Sequence, residues 1–304
     1  MAEARLLLPD FLLIVAGWLL CRFTPLNRPL WSAVERLVYV VLFPALLFTS
    51  IVRNPVRLDA ALPVVGAALG VTLLGIALAL SLRLLPRVDA ALHASGAQVA
   101  FRFNSYVALA FAERLAGPPG LAWMALIVSV CVPLCNVAAV WPLARQGGRH
   151  FLGELGRNPL ILSTFSGLAC NVAGVQLPEV ATTTLSRMGA AALPLGLMAV
   201  GAGLQMGALR EAPRLAAGLL AIRHLALPAA GLLASLAAGL QGAPQAVVVA
   251  YAAMPTASSA YVLAVRMGGN GPFVAGLVTL STLLGMAVLP LSLTALRALR
   301  PLGG

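Results

Sequence analysis

The residues best equipped for chemistry interrupt two apolar segments. The first reads Phe101-Arg102-Phe103-Asn104-Ser105-Tyr106, and the second reads Met254-Pro255-Thr256-Ala257-Ser258-Ser259-Ala260-Tyr261. Arg102 brings a fixed cation, and Asn104 brings two donors and two acceptor lone pairs. In the second segment Pro255 removes a helix hydrogen bond, and Thr256, Ser258 and Ser259 can satisfy the freed groups or line a cavity. This is chemistry for holding an anionic or polar group, not for making and breaking bonds. Arg102 and Arg223 each lie near the middle of an apolar run. A central Arg costs roughly 2.5–3.5 kcal/mol in a bilayer even on the insertion scale, so both must face protein or water. The nine acidic residues, Glu3, Asp10, Glu35, Asp59, Asp89, Glu113, Glu154, Glu179 and Glu211, all fall near the ends of such runs or between them. Two central cations without a central carboxylate suggest an anionic ligand. The competing reading puts the guanidinium on backbone carbonyls, or on a carboxylate reached across the bundle.

Asn104 stands where the second half of its interrupted helix would begin. Helix N-terminal N–H groups carry partial positive charge and receive anions, but Asn at that place is equally a helix cap. The two roles can coexist. The candidate substrate-binding set is Asn104, Arg102, Ser105, Tyr106, Pro255, Thr256, Ser258 and Ser259, with Arg223 and Asn136 as secondary members. Asn136 and Asn171 fit interhelical hydrogen bonding better than ligand contact. His93 lies near a membrane edge, and His224 adjoins Arg223, whose charge opposes its protonation; neither reads well as a proton relay. Cys131 and Cys135 share a helix face, but with no His or carboxylate at ligand spacing they read, like Cys21 and Cys170, as small packing residues. No metal and no cofactor is expected.

What must position these residues is a membrane-spanning chain. Of 304 residues, 61% are hydrophobic and 10% charged, against roughly 25% charged in soluble domains, and the mean hydropathy is +0.96. A net charge of +11 would suggest nucleic acid on a solvated face, but this composition leaves no such face. The charges separate ten apolar runs near 6–21, 33–52, 60–82, 91–115, 119–143, 158–176, 187–207, 213–237, 244–266 and 271–296, each of a length suited to a bilayer. No cleavable leader is expected, because Met1–Leu8 lacks a basic region and a small-residue cleavage site. Gly66 with Gly70, and Gly203 with Gly207, have the small-residue spacing that lets helices pack closely, and packing within one subunit is the expected use.

The two halves echo each other. Pro9, Gly17, Pro44 and Pro63 recur in register as Pro159, Gly167, Pro194 and Pro213, and Asn104-Ser105-Tyr106-Val107 resembles Ser259-Ala260-Tyr261-Val262 after a small slip. Runs one to five thus map onto runs six to ten, dividing the chain into 1–150 and 151–304. Five is odd, so the second repeat enters the membrane from the opposite side. The expectation is an all-α protein of ten transmembrane helices in a five-plus-five inverted repeat, interrupted at the equivalent fourth and ninth spans. Paired interruptions of this kind point to a transporter's midplane site. With the N-terminus outside, inner loops carry Arg22, Arg28, Arg36, Arg83, Arg87, Arg145, Arg149, Arg157, Arg210, Arg214 and Arg266. The outer side then carries Arg5, Arg53, Arg57, Arg114, Arg187, Arg297 and Arg300. This bias favours both termini outside.

No H-E-x-x-H, nucleophile elbow, Walker A or C-x-x-C is present. An embedded enzyme or sensor, the class furthest from transport, would need clustered acids, His or an activated Ser. The sequence offers no nucleotide-binding motor and no central carboxylate for ion coupling, although unwound carbonyls could hold Na⁺. The Arg102–Ala110 segment, Arg157-Asn158-Pro159-Leu160, Leu193-Pro194-Leu195-Gly196-Leu197 and Met254–Ala264 together resemble bacterial members of the auxin efflux carrier family. The resemblance implies an architecture like that of bile-acid symporters and NhaA-type antiporters, with spans four and nine crossing at their breaks. It implies a scaffold domain and a transport domain, carboxylate substrates such as malonate or malate, Asn104 as a substrate ligand, and an inner-membrane location. Homodimers occur in the family. The chain lacks the long central loop of plant carriers, and Arg102-Phe103 departs from their pattern, which argues against auxin itself. A Na⁺- or H⁺-coupled carrier of another solute is the alternative.

Overall fold

The structure, a computed structural model, describes residues 2–53, 58–86, 88–144, 159–204, 209–257 and 259–299. All regular elements among them are helical. A chain this apolar has no other option, because within lipid a helix pairs its backbone groups inside its own segment. α1 is Ala2–Phe23. α2 (Arg28–Leu37) continues through a π-helical turn at Val38–Leu42 into α3 (Phe43–Arg53). α4 is Leu58–Ser81, and α5 (Ala90–Gly96) and α6 (Gln98–Phe101) lead to the first interruption. α7 runs from Ser105 to Ala144, α8 from Pro159 to Val172 and α9 from Glu179 to Ala202. α10 (Pro213–Ala221), a second π-helical turn (Ile222–Ala226) and α11 (Leu227–Ala237) follow without a gap. α12 (Gly242–Ala253) ends at the second interruption, beyond which lie α13 (Ser259–Arg266) and α14 (Gly271–Leu299).

Among the described residues, six stretches are long and apolar enough to cross a membrane: Arg28–Thr49, Ala61–Leu84, Ala90–Val140, Glu179–Ala202, Pro213–Ala237 and Gly271–Leu299. The chain is a multi-pass membrane protein. The longest of these stretches is broken by a kink at Ala116 and Gly117. Gly117 has φ 63° and ψ −155°, a conformation open essentially to glycine alone, and Pro118 and Pro119 follow it. Leu12–Phe23 and Gly242–Ala253 are shorter apolar helices. At 1.5 Å per residue the 12 residues of α12 span about 18 Å, well short of a hydrocarbon core of about 30 Å. Such a helix has to end inside the protein. Accordingly α12 is buried from Gln245 to Ala253, and the approach to the first interruption is buried from His93 to Phe101. The starts of the helices are fixed locally. Asp89 accepts from the N–H groups of Ala91 and Leu92 at 2.9 and 2.8 Å to cap α5, and Asn270 accepts from Phe273 N–H at 2.9 Å to cap α14.

Packing interleaves the two halves of the sequence. α1, α2, α3, α8 and α9 contact one another, while α12 packs against α4, α7, α11 and α14. α7 touches members of both sets. The closest helix approaches are made by small residues, but not by the expected pairs. A Cβ on Gly66 or Gly70 would meet nothing within 4 Å, and one on Gly203 would meet the Arg28 guanidinium; Gly207 lies outside the described residues. The tight contacts are instead Gly17 against the backbone of Met198, and Gly201 against the backbone of Ile14. Spacing alone identifies a smooth helix face without saying what lies across it. Gly70→Ala is therefore expected to leave the thermal unfolding temperature unchanged or slightly higher, since Ala is the better helix former by about 1 kcal/mol.

Candidate functional site

The two interruptions meet at a backbone hydrogen bond. α6 ends at Phe101, and Arg102 turns extended at φ −71°, ψ 138°. α12 ends at Ala253, and Met254 turns extended at φ −60°, ψ 144°. Asn104 N–H then donates to Pro255 C=O at 2.8 Å. Proline explains half of this geometry. It cannot continue the α12 ladder, and its carbonyl is freed to accept from another element. The ring of Pro255 lies on Gly285 of α14, where a Cβ would sit 3.0–3.2 Å from the ring carbons, so a larger residue there would displace the proline.

Asn104 is 2% exposed, and its two ends do different things. Oδ1 accepts from the N–H groups of Tyr106 and Val107 at 3.1 and 3.2 Å, capping α7. Nδ2 is buried without a partner, and so is Oγ1 of Thr256, one residue beyond the carbonyl that binds Asn104. Burying a polar group without a hydrogen bond costs on the order of 1–3 kcal/mol. An unspent amide donor at the start of a helix is an arrangement that welcomes an acceptor, above all an anion. Capping thus uses one end of the side chain and leaves the other without a partner.

Arg102 spans the crossing. Its Nη2 donates to Ser259 Oγ at 3.0 Å and its Nη1 to Gln98 Oε1 at 3.5 Å. Both partners are neutral, and among the described residues no carboxylate lies within ion-pair distance. The charge is held in place but not neutralised. Tyr106 stacks face to face on Phe43 of α3, with ring centroids 4.5 Å apart and planes within 1°. Gly196 of α9 lies beside the stacked pair, where a Cβ would be 3.2 Å from the tyrosine ring and 3.6 Å from the phenylalanine ring. Tyr106 thereby ties the start of α7 to the helices of the other packing set. Ser105 is half-buried at the first position of α7. Ser258 lies outside the described residues.

Arg223 is 2% exposed and turns to the protein backbone. Its Nη2 donates to the carbonyls of Ala252 and Tyr251 at 2.6 and 3.4 Å. These are the last carbonyls of α12, where the helix dipole is negative. Arg223 is thus a helix-end partner through Nη2, while its Nε is buried without a partner. Asn136 is half-buried on α7. Asn171 bonds across helices, donating to Ile51 C=O at 2.7 Å. His93 sits against Ala79 C=O at 2.8 Å. Sequence reasoning missed Ser281, which accepts from Thr256 N–H at 2.9 Å. It also missed Tyr251, which meets Phe103 edge to face at 4.7 Å and shares a short hydrogen bond with Thr72. Nothing in a lone serine or tyrosine on an apolar run marks such contacts in advance.

With this geometry in place, comparison with known families supplies one match. Residues 145–293 match the family described as membrane transport protein. That family is of the auxin efflux carrier type, the type that the sequence motifs resemble. The match takes in α8 to α13 and most of α14, including the second interruption with Pro255 and Thr256, while Arg102 and Asn104 lie before it. No curated protein matches the chain.

Proposed function

We propose that this chain is a secondary transporter of small organic anions, dicarboxylates among them, working by alternating access at a midplane site between the two interruptions. The observation that carries this reading is Asn104: deeply buried, with one amide atom capping α7 and the other unpartnered where the two interruptions touch. The uncompensated charge of Arg102 gives the site its sign. The match of the second half to membrane transport proteins supports transport over catalysis. On this reading, residues 1–150 and 151–304 form two inverted five-helix repeats making ten spans, set in the inner membrane with both termini outside. α1, α2, α3, α8 and α9 serve as the scaffold, and the helices around α12 carry the site.

The test is flux into reconstituted vesicles. Radiolabelled malonate and malate are expected to show saturable uptake under an imposed gradient, and the absence of saturable flux under every gradient would sink the reading. Repeating the assay with and without Na⁺ and a pH gradient addresses a coupled carrier, which the unpartnered Thr256 hydroxyl beside extended backbone favours as a second reading. Arg102→Gln is expected to raise the KM for malonate about 10- to 100-fold, in line with the roughly 1.5–3 kcal/mol of a hydrogen bond to a charged group. A neutral solute carried by the same protein should be unaffected. Equal losses for both would make Arg102 structural.

A further inference from the structure

Two consecutive residues of the π-helical turn between α10 and α11 reach opposite sides of the second interruption. Arg223 holds the carbonyls of Tyr251 and Ala252, immediately before it. His224, 4% exposed, places Nε2 at 2.8 Å from Ser281 Oγ on α14. That same Oγ accepts the N–H of Thr256, after the proline, at 2.9 Å. The hydroxyl can donate a hydrogen bond to Nε2 or accept one from it; in either arrangement the imidazole fixes where Ser281 stands. π-helical turns occur mostly as single turns inside α-helices, frequently at functional sites. Here the turn at Ile222–Ala226 supplies both contacts.

We infer that this turn is a brace that fixes the second interruption for ligand binding, with His224 and Ser281 acting as positioning residues through the Thr256 backbone and Arg223 through the end of α12. The physical need is plain. Residues 254–257 have no helix ladder to hold them, and Pro255 C=O must stay where Asn104 N–H reaches it. Without the brace, the Thr256 N–H is a buried donor with no acceptor, and the segment is free to move away from Asn104. Neither His224 nor Ser281 needs to touch the ligand. The inference rests on reading the two interruptions as the transport site, but the brace itself can be tested without any substrate.

The first arm of the test is hydrogen exchange on the full chain in lipid nanodiscs, following peptides that cover residues 251–257. Ser281→Ala is expected to speed exchange of the Thr256 amide about 10-fold or more, a loss within the reach of one hydrogen bond. His224→Leu should have a smaller effect in the same direction, and His224→Gln, which keeps a donor and an acceptor, should restore slow exchange. The second arm is malonate flux. Ser281→Ala should raise KM about 10-fold with the maximal rate within about 3-fold, and adding His224→Leu should cost little more, as expected for two members of one chain of contacts. Unchanged exchange in Ser281→Ala, fully additive effects of the pair, or His224→Gln behaving as poorly as His224→Leu would each overturn the brace. If wild-type vesicles carry no malonate, the transport reading fails, while the exchange arm still decides the brace.

Discussion

Asn104→Asp is expected to leave the protein folded and to abolish anion binding. Asp caps a helix as well as Asn does, so the bonds from Tyr106 and Val107 N–H to the side-chain oxygen survive the change. What is lost is the unpartnered Nδ2 donor, and a negative charge takes its place. Loss of a hydrogen bond to a charged group weakens binding by about 10- to 150-fold, and repulsion adds to this. Malonate should then no longer raise the thermal unfolding temperature of the purified variant. Asn104→Ala separates the two roles: it should lose binding and also about 0.5–2 kcal/mol of stability through the missing cap. Wild-type malonate affinity in the Asp variant would remove Asn104 from the ligand site.

Gly201→Val is expected to be the most damaging single change away from the site. A Cβ at residue 201 would overlap the carbonyl of Ile14 on α1, and one at Gly17 would overlap the carbonyl of Met198 on α9. Backbone meets backbone there, so no side-chain rotation relieves the clash and the two helices must separate. Overpacking typically costs about 1–3 kcal/mol, and this rigid contact belongs at the upper end. A fall in unfolding temperature on the order of 5–10 °C should follow for a chain of this size, read by scanning fluorimetry in detergent. Because Gly17 and Gly201 hold the same pair of helices, Gly17→Ala combined with Gly201→Val should lose less than the sum of the two. Strict additivity, or an unfolding temperature for Gly201→Val equal to that of Gly70→Ala, would show that α1 and α9 do not pack this closely.

Much of the molecule was legible as pattern. Apolar runs bounded by arginine announced a multi-pass helical protein, because a helix is what keeps backbone groups paired in lipid. Phe101–Tyr106 and Met254–Tyr261 stood out because Asn, Ser and Pro in mid-run are local signals: each changes backbone hydrogen bonding within a few residues. The structure places helix ends at Phe101 and Ala253 and new starts at Ser105 and Ser259. Asn104 could be seen as cap or ligand from its type alone, but the bond from its backbone N–H to Pro255 C=O depends on a segment some 150 residues away.

Other features were decided only by packing. Gly66 with Gly70 has the spacing of a tight helix contact and faces open space, whereas Gly17 and Gly201, with no such partner spacing, carry the closest approach. The difference is that spacing belongs to one helix and contact to two. Arg223 fitted an anion or a carbonyl equally well as an isolated cation in an apolar run. In the structure its Nη2 donates to the carbonyls of Tyr251 and Ala252 at the end of α12, while its Nε is buried without a partner. Ser281 gave no signal at all, and His224 read only as a poor proton relay, since a hydroxyl and an imidazole acquire a role only from what stands across from them. The sequence by itself determined a helical membrane protein with two polar interruptions, because lipid constrains composition and backbone pairing residue by residue. Tertiary structure alone decided which polar atoms were consumed in holding those interruptions together and which were left without a partner, because that remainder depends on every partner the fold brings within hydrogen-bond reach.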